Sequence, residues 1–60
     1  MLVAKVKRYL HRTGMPRTVF GRCAANDPRL VEDLTNGRQP RAEMVARIEA
    51  FIAAHPDGRR

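Results

Sequence analysis

The chain has 60 residues, of which 43% are hydrophobic and 30% charged, and its formal net charge is +6 at pH 7. This length predicts one domain over residues 1–60, of marginal stability and too small for a deep active site. The hydrophobic content argues against disorder, and no apolar run approaches the roughly 20 residues that cross a bilayer. A single cysteine cannot form an internal disulfide, which favours a reduced, cytoplasmic setting.

The excess positive charge lies in the first half of the chain. Residues 1–26 carry +6 and no acid, whereas residues 27–60 hold six arginines and six acids. Such a basic block predicts a polyanionic partner, either nucleic acid or an anionic membrane, and a merely solvated surface is the alternative. Because basic residues also interrupt the first apolar residues, we expect no signal peptide. No alternating β-branched runs occur, so we expect helices and no strands.

The first predicted helix covers residues 2–12. Five residues form its apolar face: Leu2, Val3, Val6, Tyr9 and Leu10. We expect Tyr9 to be a core ring with its hydroxyl at the rim. Lys5, Arg8 and Arg12 follow each other at spacings of three and four and predict a basic ridge on the opposite side. A basic amphipathic helix is also typical of a membrane-surface element, although we favour a core helix whose back faces phosphates.

The second predicted helix covers residues 17–24, after a break at Gly14 and Pro16. Arg17 falls in its first turn, where free N–H groups and the helix dipole favour a bound phosphate. Its apolar side is predicted to hold Val19, Phe20, Cys23 and Ala24. Cys23 is therefore expected to be a small buried residue. Gly21 costs about 1 kcal/mol relative to alanine inside a helix, which predicts a close approach of the next helix.

The third predicted helix covers residues 28–35 and would be the recognition helix. Asp27 is a suitable N-cap, Pro28 suits the first helical position, and Asn36-Gly37 can end the helix. Its apolar face consists of Leu30, Val31 and Leu34, which leaves Arg29, Glu32 and Asp33 on the outside.

The outward side chains of this helix suit base edges. Arg29 can donate two hydrogen bonds to guanine, and Glu32 or Asp33 can accept one from a cytosine amino group. Alternatively the two acids pair with arginines, for example Asp33 with Arg29 four residues before it. Arg38 and Arg41, on either side of Pro40, predict a loop that grips the DNA backbone, with plain solvation as the alternative.

The fourth predicted helix covers residues 41–54. Its broad apolar stripe, expected to cover the core against the first helix, consists of Met44, Val45, Ile48, Phe51 and Ile52. Part of that stripe is also suited to a homodimer contact, which would let two small modules read one site. Residues 55–60 are expected to form a tail that frays at Arg59 and Arg60.

Residues 17–52 resemble the lambda-repressor-like, XRE/Cro-type helix-turn-helix family. The resemblance lies in the apolar positions Phe20, Ala24, Val31 and Leu34, then Asn36-Gly37, Arg38, Pro40, Met44, Val45 and Ile48. Ala25 stands at the turn position that is usually glycine, and Asn26 stands where an apolar residue usually follows. The loop after Gly37 is also a residue shorter than in many members, and a fifth helix often follows in the family.

The resemblance implies a compact, all-α, four-helix domain that binds double-stranded DNA and regulates transcription in the cytoplasm, at the nucleoid. Phosphate contacts by Arg17, Asn36 and Arg38 and base contacts by Arg29, Glu32 and Asp33 are implied by it. With the other basic residues of the two halves, the predicted DNA-backbone set is Arg12, Arg17, Arg22, Asn36, Arg38 and Arg41. A homodimer and a contact with RNA polymerase or another regulator are further partners that the sequence leaves open.

Catalysis is not expected. His11 and His55 are isolated, so neither a metal nor a cofactor is predicted, and Glu32 and Asp33 would diverge on a helix. No glycine-rich phosphate loop is present. The main alternative to DNA binding is a protein-interaction adaptor of the same fold, which binds a partner through the third or fourth helix. A membrane-surface peptide led by the first helix is a weaker alternative.

Overall fold

Four helices connected by short turns make up the fold. The computed structural model describes residues 1–58, and within them the helices are α1 (Leu2–Thr13), α2 (Arg17–Ala25), α3 (Leu30–Thr35) and α4 (Ala42–Ala54), with no strand. The radius of gyration, 10.1 Å, agrees with the value of roughly 10 Å expected for a globular domain of this length. The predicted compact, all-α, four-helix fold is confirmed. The expected fraying at Arg59 and Arg60 lies outside the described residues.

Two glycines end helices as the sequence predicts. Gly14 follows α1 with φ 72°, and its N–H donates to the Leu10 carbonyl at 2.8 Å. After α3, Gly37 has φ 98° and donates to Leu34, while Arg38 N–H donates to the Asp33 carbonyl at 2.9 Å. This pair of bonds is a Schellman motif, which satisfies the last carbonyls of α3 and turns the chain back over it.

The turn between α2 and α3 depends on Asn26. Its φ is 55°, in the left-handed region that asparagine tolerates better than most residues, and its N–H donates to the Arg22 carbonyl at 3.0 Å. Ala25, placed at the glycine position of the turn by the resemblance, is instead the buried last residue of α2. The residue that turns the chain therefore lies one position later than expected.

The third helix, α3, begins at Leu30, two residues later than predicted. Asp27 Oδ1 accepts the Arg29 N–H at 3.0 Å, and the Asp27 carbonyl accepts the Leu30 N–H at 3.1 Å. These bonds form a turn that holds Pro28 and Arg29 outside the helix. Asp27 thus starts α3 as expected, but through a turn that precedes the helix instead of at its N-cap.

Three aromatic rings form the centre of the core. Tyr9 and Phe20 have ring centroids 5.5 Å apart, and Phe51 meets Phe20 edge-on at 5.5 Å. Such edge-to-face contacts are the preferred aromatic geometry. Tyr9 is the core ring that the sequence predicted, and its hydroxyl donates to the His55 carbonyl at 2.6 Å, which joins α1 to the end of α4. Around the rings lie the fully buried Val6, Leu30, Val31 and Ile48.

One face of α2 differs from the prediction. Cys23, expected to be buried, is exposed, and the buried positions of this helix are Phe20, Gly21, Ala24 and Ala25. Gly21 is buried because the backbone of Asp27 passes directly against it, and a Cβ there would overlap the Asp27 carbonyl oxygen. The predicted close approach at Gly21 is confirmed, and it moves the buried face toward Gly21 and Ala25 and away from Cys23.

Candidate nucleic-acid interface

The outward side of α3 carries the predicted base-reading residues. Leu30, Val31 and Leu34 are buried on the other side of this helix. Arg29, Glu32 and Asn36 are exposed, while Asp33 is only half-exposed. Glu32 and Asp33 lie within α3, and Arg29 and Asn36 are the residues directly before and after it. Arg29 and Glu32 are therefore accessible to a partner, whereas Asp33 is partly covered.

Asp33 is covered because it belongs to an ion cluster. Arg38 Nη1 donates to Asp27 Oδ2 at 2.9 Å and to Asp33 Oδ2 at 3.2 Å. The pairing of Asp33 with an arginine is confirmed, but its partner is Arg38 and not Arg29, because the Schellman turn carries Arg38 back toward α3. We call Asp27, Asp33 and Arg38 the α3 cluster.

The α3 cluster changes the electrostatics around Arg38. The side-chain hydrogen bond from Arg38, reinforced by the Arg29 N–H, lowers the pKa of Asp27. The same bond raises the pKa of Arg38, so the guanidinium is charged at every accessible pH. One guanidinium thus faces two carboxyl groups, which oppose the approach of a phosphate.

Three other arginines of the predicted backbone set are exposed. Arg17 is the first residue of α2, Arg22 lies in its last turn, and Arg41 directly precedes α4. Among residues 1–58, no carboxylate pairs with any of the three, and no side chain caps the N-terminus of α2 or α4. Exposed N–H groups beside an unpaired arginine suit an anion, as expected for Arg17.

Two residues of the basic ridge predicted on α1, Lys5 and Arg12, make contacts within the protein. Arg12 Nη2 donates to the Pro56 carbonyl at 3.0 Å, and its guanidinium carbon lies 5.4 Å from the centre of the Tyr9 ring. Lys5 pairs with Glu49 at 3.2 Å. Both side chains thus contact α4 or the segment after it, and the third predicted ridge residue, Arg8, is exposed. Arg12, predicted as a phosphate contact, is engaged within the protein.

The full role of Asp27 was not predicted from the sequence. We expected it only to cap α3, yet it also binds Arg38 eleven residues later. A helix of six residues rises only about 9 Å, so one long side chain can join its two ends. An acid before a short helix, together with an arginine just after the glycine that ends it, is therefore a sequence pattern that can predict an ion pair across the helix.

Neither a metal-binding cluster nor a membrane-spanning helix is found among residues 1–58. No group of three or more His, Cys, Asp and Glu side chains in this range is placed to hold a metal ion. His11 is exposed, and the His55 ring packs on Phe51 with centroids 4.6 Å apart. None of the helices in this range has the length and apolar character needed to cross a membrane.

Comparison with known proteins identifies no relative of this chain. No family model, no curated protein and no solved structure matches it. The functional argument therefore depends on the residues and their geometry.

Proposed function

We propose that this protein is a small double-stranded DNA-binding protein that places the outward side of α3 in the major groove. The observation that carries the proposal is the arrangement of α3: its apolar side is buried by the core, Glu32 is accessible on the other side, and Arg29 is accessible directly before the helix. A short helix held in this way after a tight turn is typical of helix-turn-helix recognition.

Exposed arginines supply the contacts to the DNA backbone. Arg17 and Arg22 at the two ends of α2, together with Arg41 before α4, each neutralise a phosphate and release its counterion. Asn36, exposed at the end of α3, donates a further hydrogen bond to the backbone. These contacts orient the domain but carry no sequence preference.

Sequence preference comes from the accessible side of α3. Arg29 donates two hydrogen bonds to guanine O6 and N7, and Glu32 accepts one from a cytosine amino group. Asp33 does not read a base in this proposal, because Arg38 holds its carboxylate. Arg12 and Arg38 likewise leave the set of phosphate contacts, since both are bonded within the protein.

A role in transcription follows from such recognition. A single module of this size reads few base pairs, so two copies bound to half-sites one helical turn apart, about 34 Å, would give useful specificity. We therefore propose a transcriptional regulator of the XRE/Cro kind that acts at the nucleoid as a homodimer or as paired copies. RNA polymerase or a second regulator is the protein partner that such a role implies.

Two substitutions separate orientation from sequence reading. A binding site is first selected from random duplexes. Arg17→Ala should then weaken binding to selected and random duplexes alike and reduce the slope of log affinity against log salt by about 0.9. Arg29→Ala should leave that slope closer to the wild-type value and reduce the preference for the selected site by about 1–3 kcal/mol. Fluorescence anisotropy across a salt series measures both quantities.

Arg47→Ala is the matched control because it removes the same charge from an exposed position on α4. Arg47→Ala should change the salt slope by less than the roughly 0.9 of one phosphate contact, and it should leave the preference for the selected site unchanged. If Arg17→Ala and Arg29→Ala both behave like this control, the docking through α2 and α3 is wrong.

A further inference from the structure

Arg38 contacts both ends of α3. Its N–H donates to the Asp33 carbonyl at 2.9 Å, and its side chain reaches the carboxylate of Asp33 within the helix. The same Nη1 atom binds Asp27, whose other oxygen accepts the Arg29 N–H at the helix entrance. One residue after the helix is thereby joined to the turn before it.

A helix of six residues needs such support. Isolated helices shorter than about 12 residues are marginal in water, so α3 depends on its tertiary contacts. Its buried side chains hold it on the core, whereas residues 36–39 after it are exposed. Residues 37–40, Leu34 and residues 1–3 line an open groove of about 260 Å³. The α3 cluster adds a side-chain attachment between this loop and the helix to the two backbone hydrogen bonds of the Schellman motif.

We propose that Arg38 is a positioning residue that holds α3 at the angle at which Arg29 and Glu32 face the bases, and that it is not a phosphate contact. This inference rests on the proposed function. It differs from the expectation from sequence, in which Arg38 grips the DNA backbone.

The charges of the α3 cluster support this assignment. A phosphate that approached Arg38 would meet two carboxyl groups within 3.2 Å of the same nitrogen. Exchanging them for a phosphate would leave Asp27 and Asp33 without their cation beside the DNA. Arg41, three residues later and exposed, has no such carboxylate among residues 1–58 and is the better phosphate contact.

The first test uses the protein without DNA. Hydrogen exchange followed by NMR should show faster exchange in Arg38→Ala at the amides of Arg29 and Leu30, which bond to Asp27. Amides in the middle of α1 and α4 should keep their wild-type protection. Arg41→Ala is the matched control and should leave every one of these amides unchanged. Unaltered exchange at Arg29 and Leu30 in Arg38→Ala would overturn the positioning role.

The second test uses a selected duplex and a random duplex. Arg38→Ala should reduce the ratio of the two affinities about tenfold, as when one base contact is misplaced. Its salt slope should stay at the wild-type value, whereas loss of a phosphate contact would reduce that slope by about 0.9. Arg38→Lys, which keeps a donor at the same place, should recover part of the ratio.

The double variant Asp27→Asn, Asp33→Asn distinguishes two roles of the α3 cluster. Either Arg38 holds α3 in position, or the two carboxylates only prevent Arg38 from contacting a phosphate. If Arg38 positions α3, this variant also reduces the affinity ratio, because the helix loses the same attachment. If the carboxylates only mask a phosphate contact, the ratio stays constant and the salt slope steepens by about 0.9, which would overturn the proposal. Failure of the unaltered protein to bind either duplex would overturn the proposed function, and hydrogen exchange would then decide alone whether Arg38 holds α3.

Discussion

Gly21 shows how one residue sets the distance between α2 and α3. The glycine lies inside α2, and the carbonyl group of Asp27 occupies the space where a side chain would begin. Its own carbonyl accepts the Asp27 N–H at 3.0 Å. Glycine weakens a helix by about 1 kcal/mol relative to alanine, so its presence here is explained by contact between backbones and not by helix stability.

Gly21→Ala should therefore destabilise the protein although it improves helix propensity. The methyl group forces α2 and the start of α3 apart, and such overpacking typically costs about 1–3 kcal/mol. Chemical denaturation followed by circular dichroism measures the change. Cys23→Ala, an exposed change in the same helix, is the control and should stay close to wild type. A stabilised Gly21→Ala protein would contradict the close packing of Asp27 on Gly21.

Two predictions about single residues of α2 and the turn after it differ from the structure. Cys23 is exposed and Asn26, not Ala25, takes the left-handed conformation. Apolar periodicity predicts a helix face only to within about one residue, and the contact at Gly21 rotates the buried side of α2. The close approach itself was predictable, because a glycine inside a helix requires an explanation. Its partner, the backbone of Asp27, was not.

The α3 cluster makes the stability of the fold around α3 depend on pH. Arg38 holds the pKa of Asp27 below its ordinary value of 3.8. A carboxyl group whose pKa is lower in the folded state stabilises that state above the ordinary pKa, and the effect disappears as the pH falls through the lowered value.

Asp27→Asn should accordingly lower the melting temperature at neutral pH, since the amide keeps the turn but loses its charge. The difference from wild type should shrink as the pH falls below 3.8 and should vanish once Asp27 is protonated in the folded protein. Thermal unfolding at a series of pH values measures this. Glu43→Gln, an exposed change on α4, serves as the control. A difference that persists or grows in acid would contradict the pairing of Asp27 with Arg38.

The helices themselves were largely predictable because their ends are local. Gly14 and Gly37 follow α1 and α3 with positive φ angles, a conformation that glycine favours and that a sequence therefore predicts. Each predicted helix boundary lies within two residues of the observed one. Contacts between side chains that are distant in sequence were harder to predict than the helices. The pairing of Arg38 with Asp27 depends on how the Schellman turn directs the chain, and apolar patterns do not specify that direction.

At the scale of the whole molecule, some basic side chains among residues 1–58 bond within the protein and others do not. Lys5 and Arg12 face α4 and the segment after it, and Arg38 faces α3. Arg17, Arg22 and other arginines stay exposed around α2, α3 and the start of α4. The sequence predicted a polyanionic partner from the basic block in residues 1–26. Only the fold shows that Arg12 and Arg38 are bonded within the domain.

The measurement that tests the central claim most directly is binding of the unaltered protein to random duplex DNA by fluorescence anisotropy over a salt series. If Arg17, Arg22 and Arg41 each neutralise one phosphate, log affinity should fall with log salt with a slope of about −3. No binding even at the lowest salt would contradict the account and would favour a protein partner bound through α3 or α4.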